Sequence, residues 1–140
     1  MILYLETSDL VKLYAEEPDS KEISGRVNAA DIVATSILSY AEAMAALSRK
    51  YREKGIHEKD YERVKKELDM DWEHYFVLNL TNNLVKSAGD LSEKYALRGF
   101  DALHLASAVE IKRLTSLPVT FSSSHARLRS AAQEEGLVMA

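Results

Sequence analysis

Three acids in apolar surroundings carry the chemical potential of this chain: Glu6, Glu42 and Asp101. Asp101 lies in LRGFDALHLASA (Leu97–Ala108), where Phe100, Leu103 and Ala106, with Leu105, Ala108 and Val109, recur at helical spacing. The spacing predicts a buried helix that starts near Gly99. A lone carboxylate at a helix start is most simply a cap, or a charge set against the helix dipole. Glu6 follows the apolar run Ile2–Leu5 and precedes Thr7-Ser8-Asp9, any of which suits a helix start. Glu6 is therefore either a solvated loop residue or an acid at the carboxyl end of a buried strand, the edge where open α/β sheets bind ligands. Glu42 sits among Ala41, Ala43, Ala45 and Ala46, whose small side chains leave room for another element to pack closely.

Carboxylates are costly to bury unless paired or metal-bound, and carboxylates that meet without a cation repel. No Lys or Arg adjoins Glu6 or Glu42, although Arg98 is near Asp101. A hard divalent ion resolves such a conflict: Mg²⁺ takes one or two carboxylates, keeps several waters and binds substrate phosphate. The ion can generate hydroxide, orient a phosphodiester and stabilise the leaving oxygen. If the three acids converge, metal-assisted phosphodiester hydrolysis is the chemistry they could carry. Competing chemistries have less support. Neither a GxGxxG nor a Walker-type loop is present, the chain has no Cys, and none of His57, His74, His104 and His125 pairs at zincin spacing. Ser122-Ser123-Ser124-His125 reads mainly as a loop and helix cap, since adjacent residues seldom supply triad geometry.

The elements that must position these acids alternate. Strands are expected at Ile2–Leu5, Asp31–Thr35, Tyr75–Leu80, Leu117–Phe121 and Leu137–Met139. Helices are expected from Ser20 to about Val27, over Ser36–Tyr51, His57–Trp72 and Asn82–Tyr95, from Gly99, and over His125–Gln133. Leu38, Ala41, Met44, Ala45, Leu47 and Ser48 are the expected buried side of the second of these, with Glu42 beside it. The charged His57–Trp72 helix has only a thin stripe, Tyr61, Val64, Leu68 and Trp72, and is expected to pair with its neighbour as a helical hairpin. Alternating strands and helices imply an α/β fold with a mostly parallel sheet of about five strands, whose carboxyl ends share one edge.

The whole chain, 1–140, reads as one domain of ordinary globular composition, with 46% hydrophobic and 29% charged residues. A net charge of −4 argues against binding nucleic acid by bulk charge. It leaves room for binding through a held cation and a local basic patch such as Arg49–Lys54 (RKYREK), whose simpler role is to complement a helix C-terminus. No run approaches the ~18 apolar residues of a membrane span, and no basic leader precedes Ile2, so a cytoplasmic protein without membrane association is expected.

Four pieces in order, ILYLETSDLVKLY, SYAEAMAALSR, LRGFDALHLASA and VTF…RLRSAAQEEGL, carry a resemblance over essentially the full length. The chain resembles the PIN-domain proteins, in particular the VapC-like toxins of prokaryotic toxin–antitoxin pairs. The resemblance implies a three-layer α/β/α fold and Mg²⁺- or Mn²⁺-dependent endoribonuclease activity on RNA. It also implies frequent homodimerisation, and inhibition by an antitoxin protein whose tail enters the acidic groove. Glu6, Glu42 and Asp101 match the family's acids, with Ser8, Ser124 and His125 expected around them as supporting groups. Two departures stand out. The family's first acid is normally Asp, where this chain has Glu6. A fourth acid normally follows the fourth strand, yet no acid lies between Glu110 and Glu134, and the position falls at His125 or within Ser122–Ser124. Three carboxylates suffice for one ion. Two functions fit: a metal-dependent ribonuclease of toxin type, or a degenerate PIN scaffold that binds RNA or a partner without cutting.

Overall fold

Strand β1, Ile2–Leu5, is the centre of the molecule because every one of its side chains is buried, alternately on opposite faces. A computed structural model, which describes all residues from Met1 to Ala140, places Ile2 and Tyr4 in one hydrophobic cluster and Leu3 and Leu5 in the other. Such a strand belongs inside a sheet covered on both sides. The other strands are β2 (Ile32–Ser36), β3 (Phe76–Leu78), β4 (Val119–Ser122) and β5 (Val138–Met139), in the order β3-β2-β1-β4-β5. Every pairing is parallel, with Ile2 opposite Ile32 on one side and Val119 on the other.

Helices α1 (Thr7–Leu10), α2 (Ser20–Ala29), α3 (Leu38–Arg52) and α4 (Glu58–Trp72) cover one face through Leu10, Ile23, Ala43, Leu47, Val64 and Leu68. A short 3-10 turn, Val11–Leu13, prolongs α1. Helices α5 (Asn82–Tyr95), α6 (Gly99–Thr115) and α7 (Ala126–Glu134) cover the other, through Leu84, Leu105, Ile111 and Leu128 among others. The architecture is the expected three-layer α/β/α sandwich around five strands. The α3–α4 hairpin is present as well, sealed by Val64 and Leu68 inside and by stacked Tyr51 and Tyr61 rings 4.5 Å apart near its connecting loop.

Two expected faces were misplaced in phase. Helix α3 buries Ser39, Ala43 and Leu47, four residues apart, whereas Ala41 and Ala45 are exposed. A run of alanines has no intrinsic face, and a shift of two residues turns a helix by about 200°. Phe100 is likewise out of phase: it is 65% exposed, two residues before buried Ala102 on α6.

The chain runs outward from β1 to β2 and β3, then crosses to β4 on the opposite side of β1. The segments leaving β1 and β4 therefore part at the sheet's carboxyl edge, a topological switch point where α/β folds open a crevice. Glu6 leaves β1 with its N–H donating to the Ser122 carbonyl at 3.0 Å. That bond sets Glu6 beside Ser123, Ser124 and His125.

Candidate active site

Glu6 is not solvated: it is 2% exposed and is itself the cap of α1. Its Oε2 accepts the Ser8 N–H at 2.6 Å, and its Oε1 accepts the Ser8 hydroxyl at 2.9 Å and the Ser123 hydroxyl at 2.8 Å. Thr7, Ser8 and Asp9, the expected cap candidates, instead form the first turn. The extra methylene of Glu lets one carboxylate cap its own helix and still reach the β4 loop. Ser8 thus contacts the first acid directly.

Asp101 occupies the first turn of α6, while the cap position falls to Arg98, whose side chain caps nothing. The carboxylate is turned instead toward His125, whose Nδ1 lies 3.4 Å from Asp101 Oδ1 and 3.3 Å from Glu6 Oε1. One donor atom each from Glu6, Asp101 and His125 falls within 4.8 Å of the others. His125 precedes α7, and its backbone N–H donates to Ser123 Oγ at 3.1 Å, so the hydroxyl that holds Glu6 also anchors the histidine's backbone.

Glu42, on α3, lines the same crevice but stands outside this trio. Its Oε1 accepts from Thr7 Oγ1 at 2.6 Å and from His104 Nε2 at 2.7 Å, leaving Oε2 without a protein donor. His104, almost wholly buried on α6, is clasped from behind by the Tyr4 hydroxyl, 2.8 Å from Nδ1. Burial pushes the Tyr4 phenol well above its ordinary value, so Tyr4 is neutral. His104 Nε2 faces a carboxylate oxygen, which only accepts, so Nε2 is the donor to Glu42. Burial also pushes the Glu42 carboxyl up, but the hydrogen bonds from His104 and Thr7 outweigh it and hold the group below the usual carboxylate value. Glu42 is thus an anion fixed in place by a relay that begins in the sheet.

A fourth acid, Asp9, is buried directly beneath the site and accepts the hydroxyls of Ser122 and Ser124, each at 2.6 Å. Lys12 at 3.3 Å and Arg26 at 3.6 Å balance its charge. Ser124 also donates its N–H to Ser8 Oγ at 3.0 Å and accepts from Lys12. Asp9 and Ser124 therefore tie the β4 loop to α1 rather than touching the crevice acids.

No Lys or Arg pairs with Glu6, Glu42 or Asp101; histidines are their only basic partners. Two adjoining clefts of about 440 and 490 Å³ share Glu42, Asp101 and His125. Arg98 and exposed Phe100 flank the first, Lys12 and Lys50 the second. The donor set suits a divalent ion: two carboxylates and an imidazole close together, Glu6 oriented by the hydroxyls of Ser8 and Ser123 and neither acid paired with Lys or Arg. Thr7, His104 and Ser123 were not singled out as site residues from the sequence. One signal was there, since His104 falls three residues past Asp101 on the helix's apolar face, and a buried His needs partners.

Comparison with known proteins gives the chain a family. The family model described as PIN domain matches residues 3–116. The chain is 33% identical over 144 aligned positions to "Ribonuclease VapC47" of Mycobacterium tuberculosis, covering 99% of this chain and 96% of that one. Among solved structures, Mycobacterium tuberculosis VapC20, described as a sarcin-ricin loop cleaving toxin, superposes with a TM-score of 0.70 at 14% identity, over 97% and 96% of the two chains. A toxin–antitoxin complex from Klebsiella pneumoniae superposes with a TM-score of 0.58 at 17% identity, over 84% and 83%. With the family model covering most of its length and a VapC relative aligned nearly end to end, the chain belongs to the PIN-domain family, on its VapC-like side.

Proposed function

We propose that this protein is a metal-dependent endoribonuclease that acts as the toxin of a toxin–antitoxin pair. The observation that carries the reading is the meeting of Glu6, Asp101 and His125 at the β1/β4 switch point, with no Lys or Arg to pair either acid. Glu6 and Asp101 would hold Mg²⁺ or Mn²⁺, and Glu42 completes the site through its free Oε2. When bound, the ion supplies an activated water and stabilises charge on the phosphodiester oxygens.

The chain's own groups do the rest. Glu42, kept ionised by His104 and Thr7, accepts a hydrogen bond from the attacking water and orients it toward the phosphorus. Arg98 on one flank, with Lys12 and Lys50 on the other, offers cations to neighbouring phosphates along the clefts. Ser8 and Ser123 keep Glu6 from turning out of the site. The acidic crevice also offers an antitoxin a place to insert a basic side chain. That the VapC47 relative is named a ribonuclease, and that a structural neighbour is a toxin–antitoxin complex, supports both halves of the reading. A homodimer acting in the cytoplasm completes it. No helix is long and apolar enough to cross a membrane.

The test is Asp101→Asn, which keeps shape and removes charge. The purified variant should keep its circular dichroism and melting temperature and lose Mg²⁺- or Mn²⁺-dependent cleavage of a structured RNA. Equal cleavage by both proteins would assign the activity elsewhere. RNA or antitoxin binding with no cleavage by wild type under either ion would leave only a binding scaffold.

A further inference from the structure

Resting on that metal-dependent reading, we infer that His125 is itself a ligand, through Nδ1, and that its nitrogen makes the site selective for a first-row transition ion such as Mn²⁺ over Mg²⁺. Three observations carry this. His125 Nδ1 faces both acids at once, 3.3 Å from Glu6 Oε1 and 3.4 Å from Asp101 Oδ1. Neighbouring ligands around an octahedral ion with bonds of about 2.1 Å lie roughly 3.0 Å apart, close to both distances from Nδ1. The chain also anchors both residues to one hydroxyl: Ser123 Oγ accepts the His125 backbone N–H and donates to Glu6 Oε1. Finally, the His125 side chain is half exposed and faces the crevice, free of any other polar partner.

The ligand type then decides the ion. Mg²⁺ is hard, is held through oxygens and gives up its waters reluctantly. Imidazole nitrogen suits first-row transition ions, whereas an all-oxygen set suits Mg²⁺ and Mn²⁺ alike. A set of two carboxylates and one imidazole therefore keeps Mn²⁺ and loses affinity for Mg²⁺.

The experiment uses protein stripped of metal and reloaded with Mn²⁺. Pulsed electron paramagnetic resonance should show nitrogen coupling to the bound Mn²⁺ in wild type. The coupling should vanish in His125→Asp and His125→Ala. Calorimetry should show the preference for Mn²⁺ over Mg²⁺ falling on the order of tenfold in His125→Asp, which restores an all-oxygen set, and weaker Mn²⁺ binding in His125→Ala. Mn²⁺ bound without nitrogen coupling would overturn the inference and leave the metal-dependent reading standing; His125 would then be a counter-ion for the two acids. No Mn²⁺ binding to wild type would overturn both.

Discussion

Shortening Glu6 to Asp separates three accounts of the first acid. The Glu6 carboxylate does two things at once: it caps α1 through Ser8, and it spans to Ser123 and His125 at 2.8 and 3.3 Å. Removing a methylene withdraws it by about one carbon–carbon bond, roughly 1.5 Å. The cap survives, because Asp is a favoured capping residue. The bond from Ser123 does not, since 2.8 Å plus that withdrawal exceeds hydrogen-bonding reach. A hydrogen bond to a charged acceptor is worth about 1.5–3 kcal/mol, so the expected loss of stability is about 2 kcal/mol. At about 2–4 °C per kcal/mol for a chain of this size, the melting temperature should fall by roughly 4–8 °C.

Metal affinity should fall with it, by about tenfold or more, the scale on which orienting partners of metal ligands act. The assay is thermal melting without metal, calorimetry with Mn²⁺, and RNA cleavage, each beside wild type. Tighter Mn²⁺ binding and faster cleavage in Glu6→Asp would refute the reasoning, because Glu6 would then be a misplaced ligand that Asp repairs. An unchanged affinity would remove Glu6 from the metal site altogether, whatever happened to stability.

Two other perturbations follow from the same networks. His104→Phe should lower the melting temperature, because it removes the ring-nitrogen partner of the buried Tyr4 hydroxyl at a cost of about 1–3 kcal/mol, and should lower cleavage, because Glu42 loses one of its two anchors. Adding Tyr4→Phe should recover most of the stability and none of the cleavage; recovery of both would make the relay purely structural. Away from the site, the hydrogen bond from Tyr95 and then the Lys94 ammonium hold the Glu135 carboxyl below its usual range. Its folded-state pKa is depressed, so the stabilisation is full above the ordinary Glu value of about 4.3 and is lost as pH falls through the folded value. The stability gap between wild type and Tyr95→Phe, from urea unfolding, should therefore be widest near neutrality and close in acid. A gap that widened in acid would reverse the assigned sign.

The layers of this fold were legible in the sequence because each element announces itself locally. Ile2–Leu5 is short and apolar between polar clusters, and Asn82–Tyr95 has apolar positions at helical spacing and a Thr81 cap. Phase within a helix was legible only where side chains differ in size. Alanine-rich α3 therefore concealed which residues meet the sheet, and with them the environment of Glu42. The acids were legible as types, and their partners were not. Ser123 and Glu6 are 117 residues apart, and His104 and Glu42 are 62 apart. Only the β1–β4 register and the packing of α6 on the sheet bring those pairs together.

The most consequential pairing is the one that sequence reading counted as a deficit. The stretch after β4 offers no acid, and by residue type alone the site looks depleted. In the fold that stretch supplies Ser123 to orient Glu6, Ser124 to bind Asp9, and His125 to face both Glu6 and Asp101. A longer first acid and an imidazole across the crevice meet at 3.3 Å. Glu6 reaches toward β4 by about the length of the added methylene, and what it meets there is the loop that carries the imidazole. The two departures therefore belong to one site, and a substitution at either position should be read against the other, with Glu6→Asp losing most where His125 is present.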